Sequence, residues 1–147
     1  MPTIYTLGYT ACNPDDLRSF AHARSTVVID TRMAPRSRAP QWDGDALKQL
    51  LGVSNYQHER WLGNRNYKSV KSAIAIVNLK GGLVGPKALL DVGMSVLLLC
   101  ACVEHRTCHR FIIAEALADA TGHSIEHLKP SDLTRPLQLS FLEDTYA

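Results

Sequence analysis

Residues 95–101, Ser-Val-Leu-Leu-Leu-Cys-Ala, carry no charge and show no alternation of polar and apolar positions. A strand with one wet face alternates, so a run apolar at both parities reads as a strand buried on both sides. Residues 26–30, Thr-Val-Val-Ile-Asp, have the same character, β-branched and apolar. Short runs of this kind alternate along the chain with helix-like segments, the pattern of an α/β fold with a mostly parallel sheet and helices on both faces. The 147 residues are 46% hydrophobic and 20% charged, which suits one globular domain that buries a core and excludes a disordered, collagenous or coiled-coil chain. No repeat or Pro/Gly/Ser-rich linker divides the chain, so residues 1–147 read as a single domain.

The remaining elements follow from local signals. Residues 3–7 form a first strand closed by Gly8. Asn13-Pro14-Asp15-Asp16 opens a helix, with Asn as N-cap, Pro in the first turn and two acids facing the positive end of the helix dipole. Leu17, Phe20 and Ala21 give it an inward face, and it ends near Arg24. Residues 31–42 lack periodicity and hold Pro35 and Pro40, a loop. A short helix is expected over 43–51, a strand over 55–58, and a loop running into helix over 59–71. Gly81-Gly82 reads as a break, and residues 86–92 as a helix ending at Gly93. A helix over 108–120 has Ile112, Ile113, Ala116 and Leu117 as its core face and Gly122 as its stop. Residues 124–127 are a last edge strand. Beyond Pro130, Leu133, Leu137, Leu139 and Phe141 are apolar enough to pack back on the domain or on a partner, a homodimer among the choices.

Sixteen Lys and Arg against fourteen Asp and Glu leave a net charge of +2, too small to imply nucleic acid by itself. No apolar run approaches the ~18 residues of a membrane span. Met1-Pro2-Thr3-Ile4-Tyr5 lacks the basic-then-apolar plan of a secretory leader, so a cytoplasmic protein with reduced thiols is expected. The four cysteines are unevenly spread: Cys12 stands alone, a loop or packing residue, while Cys100, Cys102 and Cys108 fall within nine positions.

Ligands of open α/β sheets bind beyond the carboxyl ends of the strands. Two loops qualify. One follows Asp30 and carries Arg32, Arg36, Ser37 and Arg38 with no acid before Trp42; the other carries Cys100, Cys102, His105, Arg106, Cys108, His109 and Arg110. If the two strands are central and parallel, these loops share an edge and their arginines surround a small pocket for an anion. Cys108, His109 and Arg110 fall in the first turn of a helix, where free N–H groups and the dipole lower a thiol's pKa. The plain reading of Cys100 is a small buried hydrophobe, and that of Arg32 a pair with Asp30, which orients it. Cys100 to Arg106 also has the Cys-x5-Arg spacing of oxyanion loops, but no glycine stands between them to let the backbone close in. Cys100, Cys102, Cys108 and His109 offer zinc-type ligands, although adjacent residues at a helix start diverge. A basic and aromatic stretch, Tyr56, His58, Arg60, Trp61, Arg65, Tyr67, Lys68 and Lys71, has the composition either of a nucleic-acid surface or of a solvated flap. His22, His123 and His127 read as surface or capping residues.

Three ordered motifs resemble a known family. They are Ile4-Tyr5-Thr6-Leu7-Gly8-Tyr9-Thr10, the Asp-x-Arg-x-x-Pro-x-Ser-Arg loop from Asp30 to Arg38, and Leu98-Leu99-Cys100-Ala101 followed by Cys108-His109-Arg110 and Ile113-Ala114-Glu115. The family is the bacterial and archaeal domain of unknown function 488, and the resemblance runs over residues 4–127. It implies a compact Rossmann-like domain whose shared polar residues gather at one sheet edge: Gly8, Asp30, Arg32, Pro35, Ser37, Arg38, Cys100, Cys108, His109 and Arg110. Cys102 stands where the family more often has Glu, His105 where it often has Pro, and Leu62-Gly63-Asn64 in place of Leu-Gly-Gly. Arg106 is outside the signature.

These observations lead to a cysteine-dependent hydrolase or transferase acting on an anionic substrate, a nucleotide or a nucleic-acid component. Cys108 or Cys100 is the candidate nucleophile and His109 the acid/base. Arg32, Ser37, Arg38, Arg110, Gly8 and Asp30 are the candidate binding residues. No cofactor is expected, unless Cys100, Cys102, Cys108 and His109 hold zinc. The same residues also fit a non-catalytic phosphate or nucleic-acid binding module, or a purely structural Cys/His cluster. The expected partners are a small anion or nucleic acid, and no membrane.

Overall fold

Five short strands line up in one all-parallel sheet in the computed structural model, which describes residues 1–69, 72–102 and 108–137. They are β1 (Ile4–Gly8), β2 (Thr26–Asp30), β3 (Tyr56–His58), β4 (Ser95–Cys100) and β5 (Ile125–Leu128), in the order β3-β2-β4-β1-β5. Every residue of β1, β2 and β4 is buried, as strands apolar at both parities require. Alternate side chains feed two cores. Leu97 and Leu99 join Tyr5, Leu7 and Val28 on one face, while Val96 and Leu98 join Ile4, Val27 and Ile29 on the other.

Among the described residues, five α-helices complete the layers: α1 (Pro14–Ala23), α2 (Gly44–Leu51), α3 (Leu79–Gly82), α4 (Val84–Asp91) and α5 (His109–Thr121). Leu17 and Phe20 of α1 and Leu47 of α2 cover the first face; Leu90 of α4 and Ile113, Ala114 and Leu117 of α5 cover the second. The expected α/β architecture with helices on both faces is therefore present. Its caps are the anticipated ones. The Asn13 side chain accepts from the Asp15 amide at 2.9 Å, and Gly122 takes the left-handed conformation (φ 77°) that ends α5.

Three local expectations are corrected. Among the described residues of 59–71 there is no α-helix, only a 3₁₀ turn at Arg60–Leu62 followed by turns. Asn64 Oδ1 accepts from the amides of Asn66 and Ala75, a side-chain substitute for helical bonding. Gly81 and Gly82 do not break a helix but lie inside α3. A Cβ on Gly81 would sit 2.7 Å from the Trp61 ring, and one on Gly82 would sit 2.5 Å from Leu62, so these glycines permit close packing. In α5 the buried residues include Arg110, Ile113, Ala114 and Leu117, whereas Ile112 is 38% exposed and Ala116 half-buried. Turning Arg110 inward sets that phase. Of the tail, Leu133 packs on the first core and Leu137 is exposed; Leu139 and Phe141 lie outside the described residues. No helix among the described residues is long and apolar enough to cross a membrane.

Truncating Leu98, fully buried between β4's neighbours, is expected to cost about 2–5 kcal/mol in urea denaturation. Ile112→Ala, at the position the helical pattern alone would have placed in the core, is expected to cost under about 1 kcal/mol.

Candidate functional site

The strand register sets three chain ends side by side. Asp30, last in β2, lies opposite Leu99 of β4, and Gly8, last in β1, lies opposite Cys100. The Asp30 carboxylate is completely buried. It accepts from Arg32 Nε at 2.9 Å and Nη2 at 2.6 Å, from the Arg32 amide at 3.2 Å and from the Tyr56 hydroxyl at 2.6 Å. Arg32 Nη1 donates to the Tyr9 hydroxyl at 3.3 Å, and Tyr9 stacks on Trp42. His58 Nε2 donates to the Arg32 carbonyl at 2.7 Å. Burial opposes the Arg32 charge, but the Asp30 pair more than offsets it, so the guanidinium stays charged. Burial and the neighbouring carboxylate push the Tyr56 phenol upward, which keeps it a donor.

On the other side of the edge, the chain leaving β4 crosses directly over β1. A Cβ on Gly8 would fall 1.4 Å from the Cys102 carbonyl oxygen and 3.1 Å from Arg110 Nη1, so only glycine permits this approach. Arg110, 1% exposed, donates from Nη1 to that carbonyl at 2.7 Å and to Cys100 Sγ at 2.9 Å. Cys100 and Cys108 Sγ are 2.8 Å apart, and the sulfurs of Cys100, Cys102 and Cys108 all lie within 4.8 Å of one another. Cys100 and Cys108 are buried and Cys102 is exposed. Three thiols beside a guanidinium share negative charge unevenly. Donation from Cys100 and Cys108, followed by the nearby His109 and Arg110, draws the Cys102 thiol well below its ordinary range. Burial raises Cys100. Donation from Cys100 lowers Cys108, but its own donation to Cys102 and its burial prevail and lift it to about 11.

Cys108 caps α5, and His109 opens it. His109 Nε2 lies 2.8 Å from the Thr31 carbonyl. A carbonyl only accepts, so Nε2 carries the proton and Nδ1 presents a bare lone pair to Cys108 Sγ at 3.5 Å. Burial lowers the imidazole's pKa and keeps it neutral. This is a thiol–base couple whose tautomer is held from the opposite loop.

A cleft of about 290 Å³ opens over these groups. Arg32, Cys100, Cys108 and His109 line it together, as do Cys102, Tyr9, Arg36 and Tyr67. Arg110, Asp30 and Gly8 stand behind the lining. Ser37 and Arg38 are elsewhere: they line a neighbouring depression with Thr10 and Trp42. The loop turns away after Arg36, held where the Gly44 amide donates to the Pro35 carbonyl and the Ser37 amide to Asp43 Oδ1. Arg36 therefore takes the place expected of Arg38. Of the four zinc-type ligands, the three sulfurs come together and the imidazole stays outside that group. Tyr56 and His58 leave the supposed nucleic-acid stretch for the Asp30–Arg32 knot, while Tyr67, half-exposed, faces the cleft. His105, Arg106 and Lys71 lie outside the described residues. Tyr9 is a site residue that the sequence pattern does not single out, though its place after Gly8, at a strand's carboxyl end, is the signal that points to it. No protein-family model, curated protein or solved structure matches the chain.

Tyr56→Phe removes one donor from a buried carboxylate and is expected to cost about 1–3 kcal/mol of stability. Asp30→Asn strands the Arg32 charge and is expected to cost about 3–5 kcal/mol, part of which the double variant Asp30→Asn/Arg32→Met regains in the same denaturation measurement.

Proposed function

We propose that this chain is a thiol-dependent enzyme, a cysteine-dependent hydrolase or transferase, acting on a small anionic substrate such as a nucleotide, and that it belongs to the domain of unknown function 488 family. The observation that carries the reading is the Cys108–His109 couple, with Nδ1 bare at 3.5 Å from Sγ and the far nitrogen tied to the Thr31 carbonyl. Arg32 spends one donor each from Nε, Nη1 and Nη2 on its side-chain partners, leaving one N–H on each terminal nitrogen, and Arg36 adds a second cation at the cleft wall. An anion bound there brings its electrophilic centre toward the sulfurs. Cys108 transfers its proton to His109 Nδ1 as Sγ attacks, and the imidazolium returns it to the leaving group. Arg110 balances the negative charge of the thiol cluster from behind.

A panel of nucleotides, phosphomonoesters and thioesters tests this. Cys108→Ser is expected to reduce kcat/KM about 10³-fold or more, and Arg36→Ala to raise KM with kcat little changed. Because the folded imidazole has a lowered pKa, activity is expected to persist through the pH range in which a free imidazole protonates and to be lost only at more acid pH. Turnover that survives Cys108→Ser overturns the reading.

A second reading has its own observation, the three sulfurs within 4.8 Å, which suit a thiophilic ion such as zinc with a fourth ligand from solvent. Elemental analysis of the purified protein is then expected to find about one zinc per chain, released by Cys102→Ser. A metal content far below stoichiometry removes it.

A further inference from the structure

The thiol that the sequence marks as nucleophile is not the thiol that meets the solvent. Cys108 is 2% exposed and Cys100 1%, whereas Cys102 is exposed at the cleft and lies within 4.8 Å of both. Its carbonyl is clamped by Arg110 against Gly8, which holds this turn of chain at the sheet edge. The only base in hydrogen-bond reach of a cluster sulfur among the described residues, His109 Nδ1, serves Cys108 and not the exposed sulfur. Entry and deprotonation are thus assigned to different cysteines.

Resting on the thiol-enzyme reading, we propose that Cys102 is the entry nucleophile and Cys108 the resolving thiol of a two-step exchange with small anionic disulfides. The Cys102 thiolate attacks one sulfur of R–S–S–R′; a Cys102–S–S–R bond forms, the S–S bond of the substrate breaks and R′S⁻ leaves. Cys108 then passes its proton to His109 Nδ1 and attacks the Cys102 sulfur. The Cys102–Cys108 disulfide forms, RS⁻ leaves, and the imidazolium proton goes to it. Two cysteine thiols lose two electrons and the substrate disulfide gains them, so no other oxidant is needed. An exposed sulfur at the cleft suits the first step, and a buried one with its own base suits the second. The carboxylates or phosphates of the substrate meet Arg36 and Arg32. Cys100, buried against Cys108 and held by Arg110, backs the pair without reaching the cleft mouth.

Dithiobis(nitrobenzoate), an aromatic disulfide with two carboxylates, is a direct probe, used on full-length Cys12→Ser protein so that the fourth thiol is silent. In this background about two equivalents of coloured thiolate are expected in two phases, with no adduct left on the chain and a Cys102–Cys108 link in the peptide map. Adding Cys108→Ser should stop the reaction after about one equivalent, with the adduct retained on Cys102. Adding Cys102→Ser should slow the first phase about tenfold or more. His109→Gln should slow the second phase far more than the first, with recovery of the second as pH rises. An unchanged first phase in Cys102→Ser overturns the entry role, and a full second phase in Cys108→Ser overturns the resolving role. If Cys108-dependent turnover is found on the substrate panel while Cys102→Ser reacts normally here, the relay alone fails. If the two phases appear as expected but no turnover depends on Cys108, the hydrolase or transferase reading fails and the dithiol exchange stands.

Discussion

The buried pair between Asp30 and Arg32 is the contact on which the rest of this edge depends. It ties the end of β2 to its own following loop with three donations from one residue, and it recruits Tyr56 from β3 and, through Arg32, Tyr9 from the end of β1. Breaking such a pair leaves an uncompensated charge in a low-dielectric interior, whereas intact it is near neutral in energy and strong in geometry. Its consequence reaches across the cleft. Thr31 lies between the two partners, and its carbonyl is the group that holds the proton on His109 Nε2. A charge pair at the end of β2 thereby sets the tautomer of a base at the start of α5, an indirect support of the kind that fixes reactive imidazoles.

Among the described residues, no acid lines the cleft. Arg32 is satisfied by Asp30, Arg110 by the Cys102 carbonyl and the Cys100 sulfur, and Arg36 stands at the wall. Cys102 takes its acidity first from the neighbouring Cys100 and Cys108 S–H donors. A cluster of that kind distinguishes its members by exposure. Burial holds the Cys100 thiol up, while the donations that Cys102 accepts draw the exposed thiol down.

Local chemistry made much of the fold legible. Asn13, Gly122 and the unbroken apolar runs of β2 and β4 act through neighbours in sequence, and each does what its type predicts. Where the reading failed, the deciding partner was distant. Gly81 and Gly82 look like a break until Trp61 and Leu62 are seen filling the space where their Cβ atoms would be. Ile112 looks buried until Arg110 is seen occupying the inward phase of α5. Arg38 looks like a pocket residue until the loop is seen turning away at Arg36.

What the sequence determined by itself was the class of architecture and the two segments of chain that hold the chemistry. Apolar runs at both parities demand burial on both faces, and parallel strands deliver their following loops to one edge. What only tertiary structure decided was which atoms in those segments meet. Gly8 lets the Cys102 turn pass over β1, Arg110 points back into the cluster, and exposure is left to Cys102 alone among its three thiols. Spacing along the chain carries no information about such contacts, because they are made between residues up to about a hundred positions apart whose approach depends on how two loops cross in space.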